Sequence, residues 1–144
     1  MRGRKFALIL ALLVQLSTGE TGVITLDSLS FNKTTQAFPF TFVKFDSKAP
    51  AGPKHEAFVR LAQELHDQEK ILVAEVRIPG YGSPVNHDLA ERFGLNQGVL
   101  PEFIFLKRKK LPGKKYEQIV TRYGDVIDLD HMRRFLQSNY MHYA

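Results

Sequence analysis

Three short apolar runs constrain this chain more than any other feature: Phe40-Thr41-Phe42-Val43-Lys44-Phe45, residues 71–78, and Phe103-Ile104-Phe105-Leu106. Each is rich in aromatic or β-branched residues and almost continuously apolar, the pattern of strands covered on both faces. The segments between them have a different period. Phe58, Leu61, Ala62 and Leu65 recur at i, i+3, i+4 and i+7, which predicts a helix opened by Pro53 at its first position. Val85, Leu89 and Phe93 predict a second helix, with Ser83 as N-cap, Pro84 at N1 and Gly94 ending it. Strands alternating with helices pair in parallel through right-handed crossovers, and their helices cover both faces of the sheet.

The flanks complete the pattern. Residues 22–26 read as an edge strand, and Asp27 or Ser28 caps a brief helical turn containing Leu29 and Phe31. Pro112-Gly113 is a type II turn signal inside the basic stretch 107–115, so residues 116–123 return as an antiparallel hairpin partner. Asp128 caps a last helix carrying Leu129, Met132, Phe135 and Leu136. The expected order is β, short α, β, α, β, α, β, β, α. That is an α/β domain of three layers around a mixed sheet. A chain of 144 residues suits one such domain and can bury enough surface to fold without a metal or disulfide.

The N-terminus carries a separate message. Arg2, Arg4 and Lys5 precede an apolar run, residues 6–16, and Ser17 and Gly19 stand at −3 and −1 of a cut after Gly19. This is the layout of a secretory signal peptide over residues 1–19, leaving 20–144 as the folded domain. The run is shorter than the ~20 residues of a membrane-spanning helix. Without the leader, Lys+Arg fall from 20 to 17 against 15 acids, and the net charge falls from +5 to about +2. A nucleic-acid partner, which +5 invites, loses most of its support. A soluble lumenal or secreted protein with no membrane span is expected.

The chain has no cysteine. That excludes thiol nucleophiles, thiolate metal sites, iron–sulfur clusters and disulfides within it. His55, His66, His87, His131 and His142 are scattered without metal-ligand spacing, and no Ser/His/Asp elbow or Gly-rich phosphate loop occurs. No catalytic group, metal or cofactor is expected. Asn32-Lys33-Thr34 is a glycosylation sequon at Asn32. Lys107-Arg108-Lys109-Lys110 and Lys114-Lys115 concentrate charge on the hairpin. They read as a solvated tip that discourages strand pairing, or as a contact for polyanions, acidic lipids or an acidic partner.

The element order resembles the thioredoxin fold, whose redox loop follows the central strand and whose fourth strand is preceded by a cis-proline. On that resemblance residues 45–54 replace the redox loop, Leu100-Pro101 supplies the cis-proline, and Pro50 and Pro53 occupy the two cysteine positions of a Cys-x-x-Cys motif. The stretches Gly22-Val-Ile-Thr-Leu-Asp27-Ser-Leu-Ser-Phe31, Val43-Lys44-Phe45-Asp46, Lys54-His55-Glu56-Ala57-Phe58 and Leu72-Val73-Ala74-Glu75-Val76 carry a closer likeness. They are similar to the N-terminal domain of the family of Windbeutel and endoplasmic reticulum resident protein 29, over about residues 22–139. The resemblance implies a redox-inactive relative of protein disulfide isomerase. It would be a noncatalytic chaperone or escort module for secretory client proteins in the endoplasmic reticulum lumen. It implies client-peptide contacts at Asp46, Lys48, His55, Phe58 and Pro101, and a homodimer contact at Gly22 and Asp27.

Two departures qualify the likeness. Ala49 and Ala51 stand where the family carries loop tyrosines, which removes aromatic anchors of the kind that dominate peptide affinity. The chain stops at Met141-His142-Tyr143-Ala144, short of the family's helical C-terminal domain and of a KDEL-like tail. The alternative expectation is therefore a secreted ligand- or polyanion-binding effector on the same fold.

Overall fold

The computed structural model describes residues 22–80, 82–113 and 115–140. The expected leader, residues 1–19, lies outside them, as does Lys114. In chain order the elements are β1 (Ile24–Leu26), α1 (Phe31–Gln36), β2 (Phe40–Asp46), α2 (Pro53–Leu65) and β3 (Ile71–Arg77). Then follow α3 (His87–Arg92), β4 (Glu102–Lys110), β5 (Tyr116–Arg122) and α4 (Leu129–Asn139). The sheet runs β1-β3-β2-β4-β5. Its first three strands are parallel, and β4 and β5 are antiparallel to their neighbours. This is the mixed three-layer α/β arrangement that the element order predicts.

β2 is the central strand, and every one of its residues is buried. Alternate residues therefore serve two cores. Val43 and Phe45 pack on one face with Phe31 of α1 and Leu89, Ala90 and Phe93 of α3. Phe40 and Phe42 pack on the other with Phe58, Leu61 and Ala62 of α2 and Met132 and Leu136 of α4. Aromatic contacts dominate the second core: Phe42 stacks on Phe103 at 5.6 Å and meets Tyr123 edge-on at 6.2 Å. Arg133 of α4 ties that layer together at the surface, its guanidinium donating to both Glu64 carboxylate oxygens at 2.6 and 3.1 Å.

Three details differ from the sequence reading. α3 starts at His87, not at Ser83-Pro84, and Val85 is half exposed instead of facing the core. Asn86 accounts for the delay. It is buried at φ +58, donates from Nδ2 to the Arg77 carbonyl at 2.8 Å and accepts at Oδ1 from Ser28 N at 3.0 Å. Residues 83–86 are thereby held as a bridge between β3 and the turn after β1. In that turn Phe31 is buried as expected, but Leu29 points to solvent at 93% exposure. Lastly, β4 continues through Lys107, Arg108, Lys109 and Lys110, so most of the basic run lies along a strand and not at the hairpin tip.

Candidate functional site

Asp46 closes β2, and residues 47–52 carry the chain to α2. Gly52 sits at φ +93, a conformation that L-residues disfavour, and this reversal lets Pro53 take the first helical position. Antiparallel pairing matches Phe45 with Glu102, so extending the register by one residue places Pro101 across from Asp46. On the other side Asp46 pairs with Arg77. The Leu100–Pro101 bond is cis, as the resemblance to the thioredoxin fold implies.

Beneath the loop lies an ionic cluster built on one rung of the sheet. Thr25, Glu75, Lys44 and Phe103 are successive partners across β1, β3, β2 and β4. Lys44 and Glu75 are fully buried. An ammonium withdrawn from water needs anionic or acceptor partners. Lys44 Nζ finds Asp46 Oδ2 at 2.8 Å and His55 Nδ1 at 2.6 Å, and it lies 5.4 Å from the centre of the Phe58 ring. Lys44 has only donors to offer, so Nδ1 of His55 accepts. Glu75 Oε1 accepts from Arg77 Nη2 at 2.6 Å and from Thr25 Oγ1 at 3.4 Å, while its Oε2 has no partner among the described residues.

The cluster holds the loop at both ends. Arg77 Nη1 donates to the Lys48 carbonyl at 3.1 Å, fixing the middle of the loop to β3. Ile78 N donates to the Asp46 carbonyl at 2.7 Å. Lys44 fixes the start of α2 through His55. An open groove of about 600 Å³ runs along α2 from this point, with Pro53, His55, Glu56, Val59, Arg60 and Leu129 on its walls. A second cleft, about 800 Å³, lies over α3 beside Gly80, Pro84, His87, Glu91 and Asn96.

The residues expected to touch a peptide are thus partly assembled. Lys48 is exposed, His55 and Pro101 are half-buried, and Asp46 is buried beneath Ser47 with its carboxylate engaged by Lys44 and by Ser47 N at 2.7 Å. Phe58 is fully enclosed by Phe42 and Phe103 and offers no surface to a ligand. Its place is under the site, not at it. Lys44, Glu75 and Arg77 escaped the site prediction, although a charge inside each of two apolar strands was a visible signal.

Gly22 and Asp27 have work to do within the chain. Gly22, at φ +88, abuts the backbone of α2 at Ala62. Asp27 Oδ1 accepts from Leu29 N, Ser30 N and Ser30 Oγ at 2.9–3.0 Å, so it caps the turn that leads to α1. The bond from Ser30 N does most to hold the Asp27 carboxyl below its ordinary value. Asn32 is exposed on α1 and accepts from Arg92 Nη1 at 2.5 Å, whereas Thr34 of its sequon is buried. Among the described residues no cluster of His, Asp and Glu could hold a metal ion, and no helix is long and apolar enough to cross a membrane.

The model of the ERp29 N-terminal domain matches residues 18–144 of the chain. The chain belongs to the ERp29 N-terminal domain family. Protein windbeutel of Drosophila melanogaster is 33% identical to it over 120 residues, which cover 83% of the chain. The chain spans about half the length of this curated relative, the aligned part being 45% of it. Solved structures place the ERp29-type domain among thioredoxin-like folds. The J-Trx1 fragment of ERdj5 superposes with a TM-score of 0.61 at 16% identity, covering 83% of this chain and 52% of that one. The first thioredoxin domain of mouse protein disulfide-isomerase A4 gives 0.60 at 16% identity, covering 84% and 77%. These likenesses show that the fold of the chain is thioredoxin-like.

Proposed function

We propose that this chain is a noncatalytic binding module of the secretory pathway, an escort or chaperone that assists folding and export of proteins in the endoplasmic reticulum lumen. The observation that carries this reading is the pair Pro50, in the loop after β2, and Pro53, the first residue of α2, at the end of the sheet where Pro101 lies. Thioredoxin-like enzymes need a thiolate here, and a chain without cysteine has none. What remains is a loop anchored by buried charges beside an open groove. Extended client segments would lie across residues 47–54, the exposed side of His55 and Pro101.

Support for the lumenal setting comes from the family and from the leader-like N-terminus. The test uses the purified protein with a reduced, aggregating client. Suppressed aggregation, weakened by Lys48→Glu, together with no acceleration of insulin reduction, is the expected result. Thiol–disulfide turnover would overturn the noncatalytic assignment. Failure to protect any of several unfolded clients would overturn the chaperone assignment.

A further inference from the structure

β5 is the last strand of the sheet, and the β4 ladder determines what its outer edge presents. Tyr123 N donates to the Phe103 carbonyl at 3.0 Å, and Leu111 N to the Lys115 carbonyl at 2.8 Å. Antiparallel ladders alternate between residues that bond inward and residues that bond outward. With the observed register, Glu117, Ile119 and Thr121 therefore exchange hydrogen bonds with β4. Tyr116, Gln118, Val120 and Arg122 turn their N–H and C=O groups outward.

Natural edges are usually guarded by lysine, proline or a bulge on the edge strand itself. β5 has neither lysine nor proline over its seven residues, and Tyr116 and Val120 on it are 55% and 48% exposed. The lysines stand beside the edge instead. Lys109 and Lys110 at the end of β4 and Lys115 just before β5 are exposed, and no ion pair engages them among the described residues. Arg108 lies over the Tyr116 ring at 4.7 Å and donates to the Gln36 carbonyl at 2.7 Å, keeping that side chain flat against the strand. Glu117 is the one acid on β5. The edge thus offers main-chain pairing, two apolar contacts and a surplus of positive charge. An antiparallel second copy of β5 would bring the lysine end of one strand toward Arg122 of the other and supply no acidic run to it.

We propose that the outer edge of β5 takes up an extended acidic segment of another protein as an added strand. Its main chain pairs with Gln118, Val120 and Arg122, and its carboxylates reach Lys109, Lys110 and Lys115. These lysines lie at the opposite end of the sheet from residues 47–54, since β4 enters beside Asp46 and leaves past Phe40. The two surfaces can therefore be tested separately.

The probe is a capped, fluorescent peptide of alternating valine and glutamate, titrated by anisotropy against the full chain. It should bind, and its lysine-for-glutamate counterpart should not. Val120→Pro removes an outward N–H without touching the β4 ladder, a substitution edge strands tolerate, and should weaken binding by about tenfold or more. Should that variant fold poorly, methylating alternate backbone nitrogens of the peptide should produce the same loss with the unaltered protein. Reversing Lys109, Lys110 and Lys115 to glutamate should exchange the peptide preference. Equal binding of the methylated and plain peptides, or of heparin fragments at the same lysines with Val120→Pro unaffected, would overturn strand addition in favour of a polyanion contact. Absence of peptide binding would overturn it outright, whatever Lys48→Glu does to client protection.

Discussion

Gly22 stands so close to the main chain of α2 that a Cβ built on it would lie 2.7 Å from the Ala62 carbonyl oxygen and 3.0 Å from its carbon. The neighbour is backbone and cannot swing away, and φ is +88. Gly22→Ala should therefore destabilise the fold by about 2 kcal/mol or more, combining the left-handed penalty with a displaced helix. Urea unfolding measures it. A variant of full stability whose sedimentation alone changed would move the reason for this glycine from the fold to a dimer contact.

Acid should loosen specific caps. Asp27 is held below its ordinary value chiefly by the hydrogen bond from Ser30 N, and Asp128 chiefly by that from His131 N. Glu64 is lowered mainly by its hydrogen bonds from Arg133. A depressed carboxyl adds stability that is complete above its unfolded pKa and lost as pH falls through the folded one. Stability should thus decline below about pH 4. Asp27→Ala should be less stable than the parent at neutral pH and converge with it in acid.

At the alkaline end the group to watch is Tyr123. Burial first, then the Asp125 and Asp128 carboxylates, push its phenol up to about 12. Its hydroxyl donates to the Val126 carbonyl. A raised pKa gives stability that is complete below the unfolded value and lost as pH rises through the folded one. Unfolding should therefore set in between about pH 10 and 12, with phenolate absorbance appearing as structure is lost. Tyr123→Phe should flatten that limb of the curve.

Phe58 and Lys48 should respond oppositely. Phe58→Ala empties a fully buried site against Phe42 and Phe103 and should cost about 3–5 kcal/mol. Lys48→Ala removes an exposed side chain whose carbonyl still receives Arg77, and should stay within about 0.5 kcal/mol. Only the second variant can report on ligand binding without unfolding the chain. Thermal melts of both decide this.

The Lys44–Asp46 pair makes a sharper case. Asp46→Asn leaves a buried ammonium without its carboxylate and should cost about 3 kcal/mol or more. Adding Lys44→Met removes the stranded charge, so the double variant should recover much of that loss. A double-mutant cycle in urea reads the coupling directly. Additive losses would mean that the pair contributes nothing beyond its separate packing.

The architecture was legible because its strands are marked by composition. Phe40 to Phe45 and Phe103 to Leu106 could hardly be anything but buried strands, and Pro53 and Asp128 mark their helix starts without ambiguity. Side-chain pattern and backbone geometry part company in two places. Hydrophobicity ends at Leu106, but the β4–β5 ladder needs only main-chain groups and runs on to Lys110. Ser83-Pro84 is a good local helix start, yet Asn86 is claimed by Ser28 and by the Arg77 carbonyl, partners remote in sequence. The ionic cluster was hidden for a related reason. Lys44 and Glu75 fall on one rung only once the parallel register is known.

Lys44 has one more consequence, for uniqueness of the fold. β2 is buried on both faces, so apolarity alone scarcely distinguishes Phe40 and Phe42 from Val43 and Phe45. A slip of one residue exchanges the faces of a strand. For most of β2 that exchange would swap one greasy side chain for another. For Lys44 it would drive an ammonium, with Asp46 beside it, among Phe31, Leu89 and Phe93, away from His55 and Phe58 on α2. The lone cation works as a registration mark, making the slipped sheet costly in a strand whose aromatics would tolerate either alignment.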